Sequence, residues 1–171
     1  GSSMDAGGAV ALTSAGDMQL GTVQSMAATG TALTIQSGGA ITGNGAAVNL
    51  QARQGGATSL QATNDIGSAT SPLVVDVTSL TGQSKTGSAW LHALGDISIP
   101  DFETPDGNLT IAADNALNAN MLTAGGTGTL SSGAAMTLGT VTSAGDLLAT
   151  AGTDLTATTL SSGGDATLTA T

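Results

Sequence analysis

Residues 133–151 read GAAMTLGTVTSAGDLLATA, and residues 152–170 read GTDLTATTLSSGGDATLTA. The second stretch repeats the first without a gap at an offset of 19 (152 less 133). Gly133 falls on Gly152, Met136 on Leu155, Val141 on Leu160, Gly145-Asp146 on Gly164-Asp165, and Ala149 on Leu168. One period earlier, residues 114–132 put Leu117, Leu122, Gly126 and Leu130 in the same columns. A further period back, residues 95–113 keep Gly107 and Ile111 in register, and Ile97 with a slip of one. A short fixed period of this kind is the mark of a stacked repeat architecture.

Within a period the pattern belongs to strands. Asp165-Ala166-Thr167-Leu168-Thr169-Ala170 alternates small or apolar residues with threonine, a period of two. No run sustains a helical stripe, and Gly or Ser-Gly interrupts the chain every few residues. Gly followed by Asp or Asn opens several segments, at Gly16-Asp17, Gly95-Asp96, Gly107-Asn108 and Gly145-Asp146. Both residue types tolerate positive φ and suit turns. The chain is therefore predicted to be all-β, a parallel β-helix of about nine coils with 19–20 residues each. Strand spacing of about 4.8 Å then makes a rod on the order of 43 Å long. The predicted inward columns are Met136/Leu155, Leu138/Ala157, Val141/Leu160, Leu147/Ala166 and Ala149/Leu168. Leu109 and Ile111 continue them, as do Ala89 and Leu91 if that coil has 20 residues. Thr137/Thr156 and Thr140/Thr159 should face outward. Coils up to about residue 113 are expected to be irregular, and those in 114–170 regular, within one segment spanning 5–171. Gly1-Ser2-Ser3-Met4 reads as a cloning scar.

Composition agrees with a narrow coil. Of 171 residues 26 are Gly, aromatic residues make up 1% and charged residues 8%. An ordinary domain is about a quarter charged. A narrow interior should admit Ala, Val, Leu, Ile and Thr but not Phe or Trp. Two basic residues, Arg53 and Lys85, stand against twelve acids, for a net charge of −10. Such a chain offers no basic patch to nucleic acid or to an anionic membrane surface, and neither partner is expected. Membrane insertion is not expected either, because no apolar run approaches the length of a spanning helix. With no Cys, disulfides and thiolate chemistry drop out.

Three stretches resemble one family. Asp65-Ile66-Gly67-Ser68-Ala69-Thr70-Ser71-Pro72-Leu73-Val74-Val75-Asp76-Val77 is similar to the Ile-Gly to Pro-Leu segment of filamentous-haemagglutinin-like exoproteins of two-partner secretion systems. Gly87-Ser88-Ala89-Trp90-Leu91 through Gly95-Asp96-Ile97-Ser98-Ile99 resembles the continuation of that segment. The repeats in 114–170 resemble those of the family's long shaft. The resemblance implies a right-handed β-helical shaft of a large secreted protein on the Gram-negative cell surface. Such proteins serve as adhesins, biofilm-matrix proteins or contact-dependent-inhibition effectors. It also implies export, unfolded, through a dedicated outer-membrane transporter, a route that absence of Cys would suit. The family's N-terminal secretion domain has no clear match here.

Candidate sites are few. Asp96, Asp101, Glu103 and Asp106 lie close in sequence. They could bind Ca²⁺, which takes six to eight oxygens, or supply a carboxylate pair for glycoside cleavage. The plainer expectation is a solvated loop between strands that Pro100 and Pro105 end. Gly163-Gly164-Asp165 lacks the spacing of a calcium-binding nonapeptide repeat. Trp90 and His92 should point outward beside Ala89 and Leu91. Trp90 there could stack on a sugar ring or pack under a neighbouring loop, such as the one carrying Phe102. His92 is the chain's only histidine and a weak metal ligand. One outward column, Trp90, Thr110, Thr129, Leu148 and Thr167, raises an ice-binding reading that Trp90 and Leu148 interrupt.

The expected function is a structural shaft segment with no catalysis and no cofactor. Its expected partners are a glycan or cell-surface receptor and, for the parent protein, the outer-membrane transporter. Two other readings are an extracellular carbohydrate-active β-helix protein and the receptor-binding part of an inhibition effector.

Overall fold

Alternating small apolar and polar residues give each strand one face for a core and one for solvent, and parallel stacking joins the inner faces. The computed structural model describes residues 3–171, among which every regular element is a strand. Nine strands lie side by side in one sheet and eight in a second, all paired in parallel, with Met18–Leu20 and Ile41–Gly43 forming a small third sheet. The chain is thus a parallel β-solenoid. Ser3 and Met4 begin the strand Ser3–Ala6, while Gly1 and Ser2 of the suspected scar lie outside the described residues.

The register matches the repeat. Ala89 pairs with Leu109, Leu109 with Gly128, Gly128 with Leu147, and Leu147 with Ala166. The first step is 20 residues (109 less 89) and each later one is 19. The additional residue lies in the turn after Thr104, where Pro105–Asn108 spans four positions and the next coil's Gly125–Thr127 spans three. Met136, Leu138, Val141, Leu147 and Ala149 are all buried. Their partners Leu155, Ala157, Leu160, Ala166 and Leu168 hold the same columns but remain partly or fully exposed, because no described coil covers them. Thr137 and Thr140 face outward.

Strands of the eight-stranded sheet turn a corner. Ile97–Thr104, Leu117–Ala124 and Met136–Ser143 each bury their first, third, sixth and eighth residues and leave the fourth and fifth uncovered. Pairing skips the fourth residue, which is Pro100, Asn120 and Gly139 in turn. This corrects the expectation for 96–106. Residues Ile97–Thr104 form a strand rather than a loop and Pro100 does not end it, whereas Pro105 does follow its end and Asp106 lies in the next turn. A corner position that no ladder bond uses tolerates a residue without an N–H.

Two further expectations change. Phe102 is fully buried, so the interior does admit an aromatic ring. Room comes from Gly82, its register partner, where an added Cβ would stand 2.6 Å from the ring. The turn glycines are also not chosen for positive φ. That conformation occurs among the described residues only at Gly30, Gly45, Gly55 and Gly67, all in the irregular half. Gly39, Gly87, Gly126 and Gly164 are needed instead because a Cβ would strike the side-chain oxygens of Asp17, Asp65, Asn108 and Asp146 in the preceding coil.

Candidate functional site

Those turn Asp and Asn side chains have structural partners. Asp17 Oδ1 accepts a hydrogen bond from the backbone N–H of Ala40 at 2.8 Å, and Asp65 Oδ1 from Ser88 at 2.7 Å. Asn108 Oδ1 accepts from Thr127 at 2.8 Å and Asp146 Oδ1 from Asp165 at 3.0 Å. Asp96 Oδ1 accepts from Ala116 at 3.1 Å. Each ties one turn to the next coil's turn. Their Asp and Asn residues serve the stack.

The candidate residues separate into three places. Trp90 and His92 lie on the outer face of the nine-stranded sheet, half-buried. Trp90 heads the column Thr110, Thr129, Leu148 and Thr167, as the sequence predicts. Its backbone N–H donates to Ile66 O, beside a tight turn closed between Ser68 and Ser71. Phe102 belongs to the other sheet and points into the core, so its segment is not the loop beside Trp90. His92 Nε2 stands 2.7 Å from Asp114 Oδ1, both groups partly exposed. Such a pair contributes at most about 1 kcal/mol.

Asp101 and Glu103 occupy the outer face of the eight-stranded sheet, on either side of inward Phe102. Asp106 sits apart in the turn Pro105–Asn108, exposed. The four carboxylates of 96–106 therefore do not converge. Among the described residues no three His, Asp or Glu side chains gather as a metal-holding group.

What the sequence does not reveal is the company Asp101 and Glu103 keep. In register with Glu103 run Gln83, Gln61, Gln36 and Thr13 on successive strands. In register with Asp101 run Thr81, Ser59 and Thr34. Gln36 Nε2 donates to Gln61 Oε1 at 3.4 Å, and Gln83 Nε2 donates to Glu103 Oε2 at 3.0 Å. One depression of about 250 Å³ is lined by Ser59, Gln61, Thr81, Gln83, Asp101 and Glu103. A second, of about 300 Å³, includes Thr13, Gln36, Gln61, Gln83 and Lys85. Gln61 and Gln83 belong to both, so the two form one groove along the solenoid axis. Asp101 Oδ1 is buried there without a hydrogen-bond partner.

A larger hollow, of about 590 Å³, lies where turns leave the nine-stranded sheet and includes Gln51, Arg53, Asp76 and Asp96. Its polar groups are partly engaged. Gln51 Nε2 donates to Asp76 Oδ2 at 2.6 Å, and Arg53 Nε donates to Gln24 Oε1 at 2.9 Å.

Comparison of the chain with protein-family models, with curated proteins and with solved structures finds no match. The parallel β-solenoid therefore rests on the chain's own repeat, register and burial.

Proposed function

We propose that this chain is a shaft segment of a secreted bacterial surface adhesin of the filamentous-haemagglutinin-like kind, acting as a rigid spacer without catalysis. The observation that carries the reading is the uninterrupted register from Ala89 to Ala170, over a core shared by successive coils. Every coil is hydrogen-bonded along the axis to its neighbours, so separation of any two coils must break a row of parallel bonds together. Capped turns, through Asp65, Asn108 and Asp146, extend that continuity to the corners. The resemblance of 65–77 and 87–99 to such exoproteins supplies the rest.

A spacer is defined by shape and not by surface chemistry. In the full-length surface protein, residues 114–170 replaced by an equal number of coils from an unrelated parallel β-helix should leave display and attachment intact. Scrambling the same residues should abolish both. Attachment lost on replacement, with the protein still displayed, would sink the reading.

A further inference from the structure

We propose that the groove along the eight-stranded sheet, centred on Gln61 and Gln83, binds a linear, uncharged oligosaccharide lying parallel to the solenoid axis. This goes beyond the spacer reading and does not depend on it.

The argument begins with a gap in a ladder. Stacked amide side chains in register can pass hydrogen bonds from strand to strand, and this row does so twice. Gln36 donates to Gln61, and Gln83 donates to Glu103. Gln61 and Gln83 are themselves register partners, yet no hydrogen bond joins their side chains. Gln61 therefore keeps its amide N–H donors, and Gln83 keeps its carbonyl acceptor. Both line the same groove. A hydroxyl placed between them can accept from Gln61 Nε2 and donate to Gln83 Oε1 at once. Water can do this too, but a chain of hydroxyls does it repeatedly.

Neighbouring groups have the same preference. Ser59 presents a hydroxyl in the adjoining column, and Thr81, whose hydroxyl donates to Thr58 O at 3.5 Å, can still accept there. Asp101 lines the groove with its Oδ1 buried out of a ligand's reach, and Glu103 retains acceptor capacity beyond its bond to Gln83. The groove thus presents both donors and acceptors, which suits a ligand rich in O–H, a group that is both. Two carboxylates against the single cation Lys85 in the groove, and a net charge of −10, disfavour acidic glycans. Met121, exposed and in register beside Asp101, offers one apolar side chain to a pyranose face. The row runs across five strands, from Thr13 to Glu103, on the order of 19 Å at the usual strand spacing. An extended glycan of several sugars fits that length.

The test is an NMR titration of the ¹⁵N-labelled 171-residue chain with cellohexaose, mannohexaose and xylohexaose. Side-chain amide signals of Gln61 and Gln83 are assigned with Gln61→Thr and Gln83→Thr. Threonine already occupies the same column at Thr123 and Thr142, and circular dichroism checks each variant's fold. At least one probe should shift the Gln61 and Gln83 amides and the backbone of 59–61, 81–83 and 101–103, saturably, while 136–162 stays still. Gln83→Thr should weaken that probe by about tenfold, the usual effect of removing one hydrogen bond. No shift from any probe at millimolar concentration overturns the proposal, whatever the variants do. It is equally overturned if calcium chloride moves these signals and the sugars do not, which would make the groove a cation site.

Discussion

Thr58 is the residue most at odds with its surroundings. It is 1% exposed, in register between Leu33 and Leu80, and its hydroxyl has no partner. A buried hydroxyl without a hydrogen bond costs about 1–3 kcal/mol. Valine has nearly the same shape and no such group, so Thr58→Val should stabilise the chain by about 1 kcal/mol. Urea unfolding would show a higher midpoint at unchanged slope; a lowered midpoint would mean that the hydroxyl is satisfied. Gly82 poses the opposite case. An added methyl group meets the Phe102 ring and Leu60 O, each at 2.6 Å, so Gly82→Ala should destabilise by about 1–3 kcal/mol. In a Phe102→Leu background part of that loss should disappear, since one of the two obstacles has been trimmed. Strict additivity in the double-mutant cycle would show that the ring and Gly82 do not share space.

The turn is the element that sets composition. An Asp or Asn in one coil reaches up to the next coil's backbone N–H, and a glycine there leaves the space it needs. Asn108 and Gly126 are one such pair. Asn108→Ala should cost about 1 kcal/mol, the worth of a typical hydrogen bond. Gly126→Ala should cost more, because its Cβ would collide with the Asn108 side chain. Made together, the two changes should cost less than their sum in thermal unfolding, whereas additive losses would refute the steric pairing. Recurrence of Gly-Asp was legible in the sequence; the reason for its Asp or Asn was not, since a side chain's partner 19 to 23 residues away has no local signature. Continuation of the strand past Pro100 to Thr104 is hidden in the sequence for a related cause. Pro100 and four acids look like a loop until the corner appears, where an outward residue needs neither an N–H nor burial. The Gln36, Gln61, Gln83 and Glu103 row escaped notice because its steps are 25, 22 and 20 residues, which no fixed period detects. Columns in 109–170 were readable because their steps never vary.

At the scale of the whole molecule two of the inner columns alternate in size. One runs Ala89, Leu109, Gly128, Leu147, Ala166, and another Ile99, Ala119, Leu138, Ala157. Small residues receive the large ones of neighbouring coils; a Cβ on Gly128 would already come within 3.0 Å of Leu147 Cδ1. Two adjacent coils, rather than one, are therefore the packing unit along these two columns. Two insertions after Ala151 separate these possibilities. A second copy of 133–151 sets Leu147 against Leu147 and Leu138 against Leu138, overpacking that should cost about 1–3 kcal/mol. A second copy of 114–151 sets Leu147 against Gly128 and Leu138 against Ala119, as in the native stack. It should leave stability unchanged or raise it, since each added coil brings another nearest-neighbour interface. Both chains should lengthen in small-angle scattering, by about 5 Å and about 10 Å respectively, which confirms that the insert has joined the stack. Equal urea midpoints for the two would refute the two-coil unit and leave the single 19-residue coil as the module of assembly.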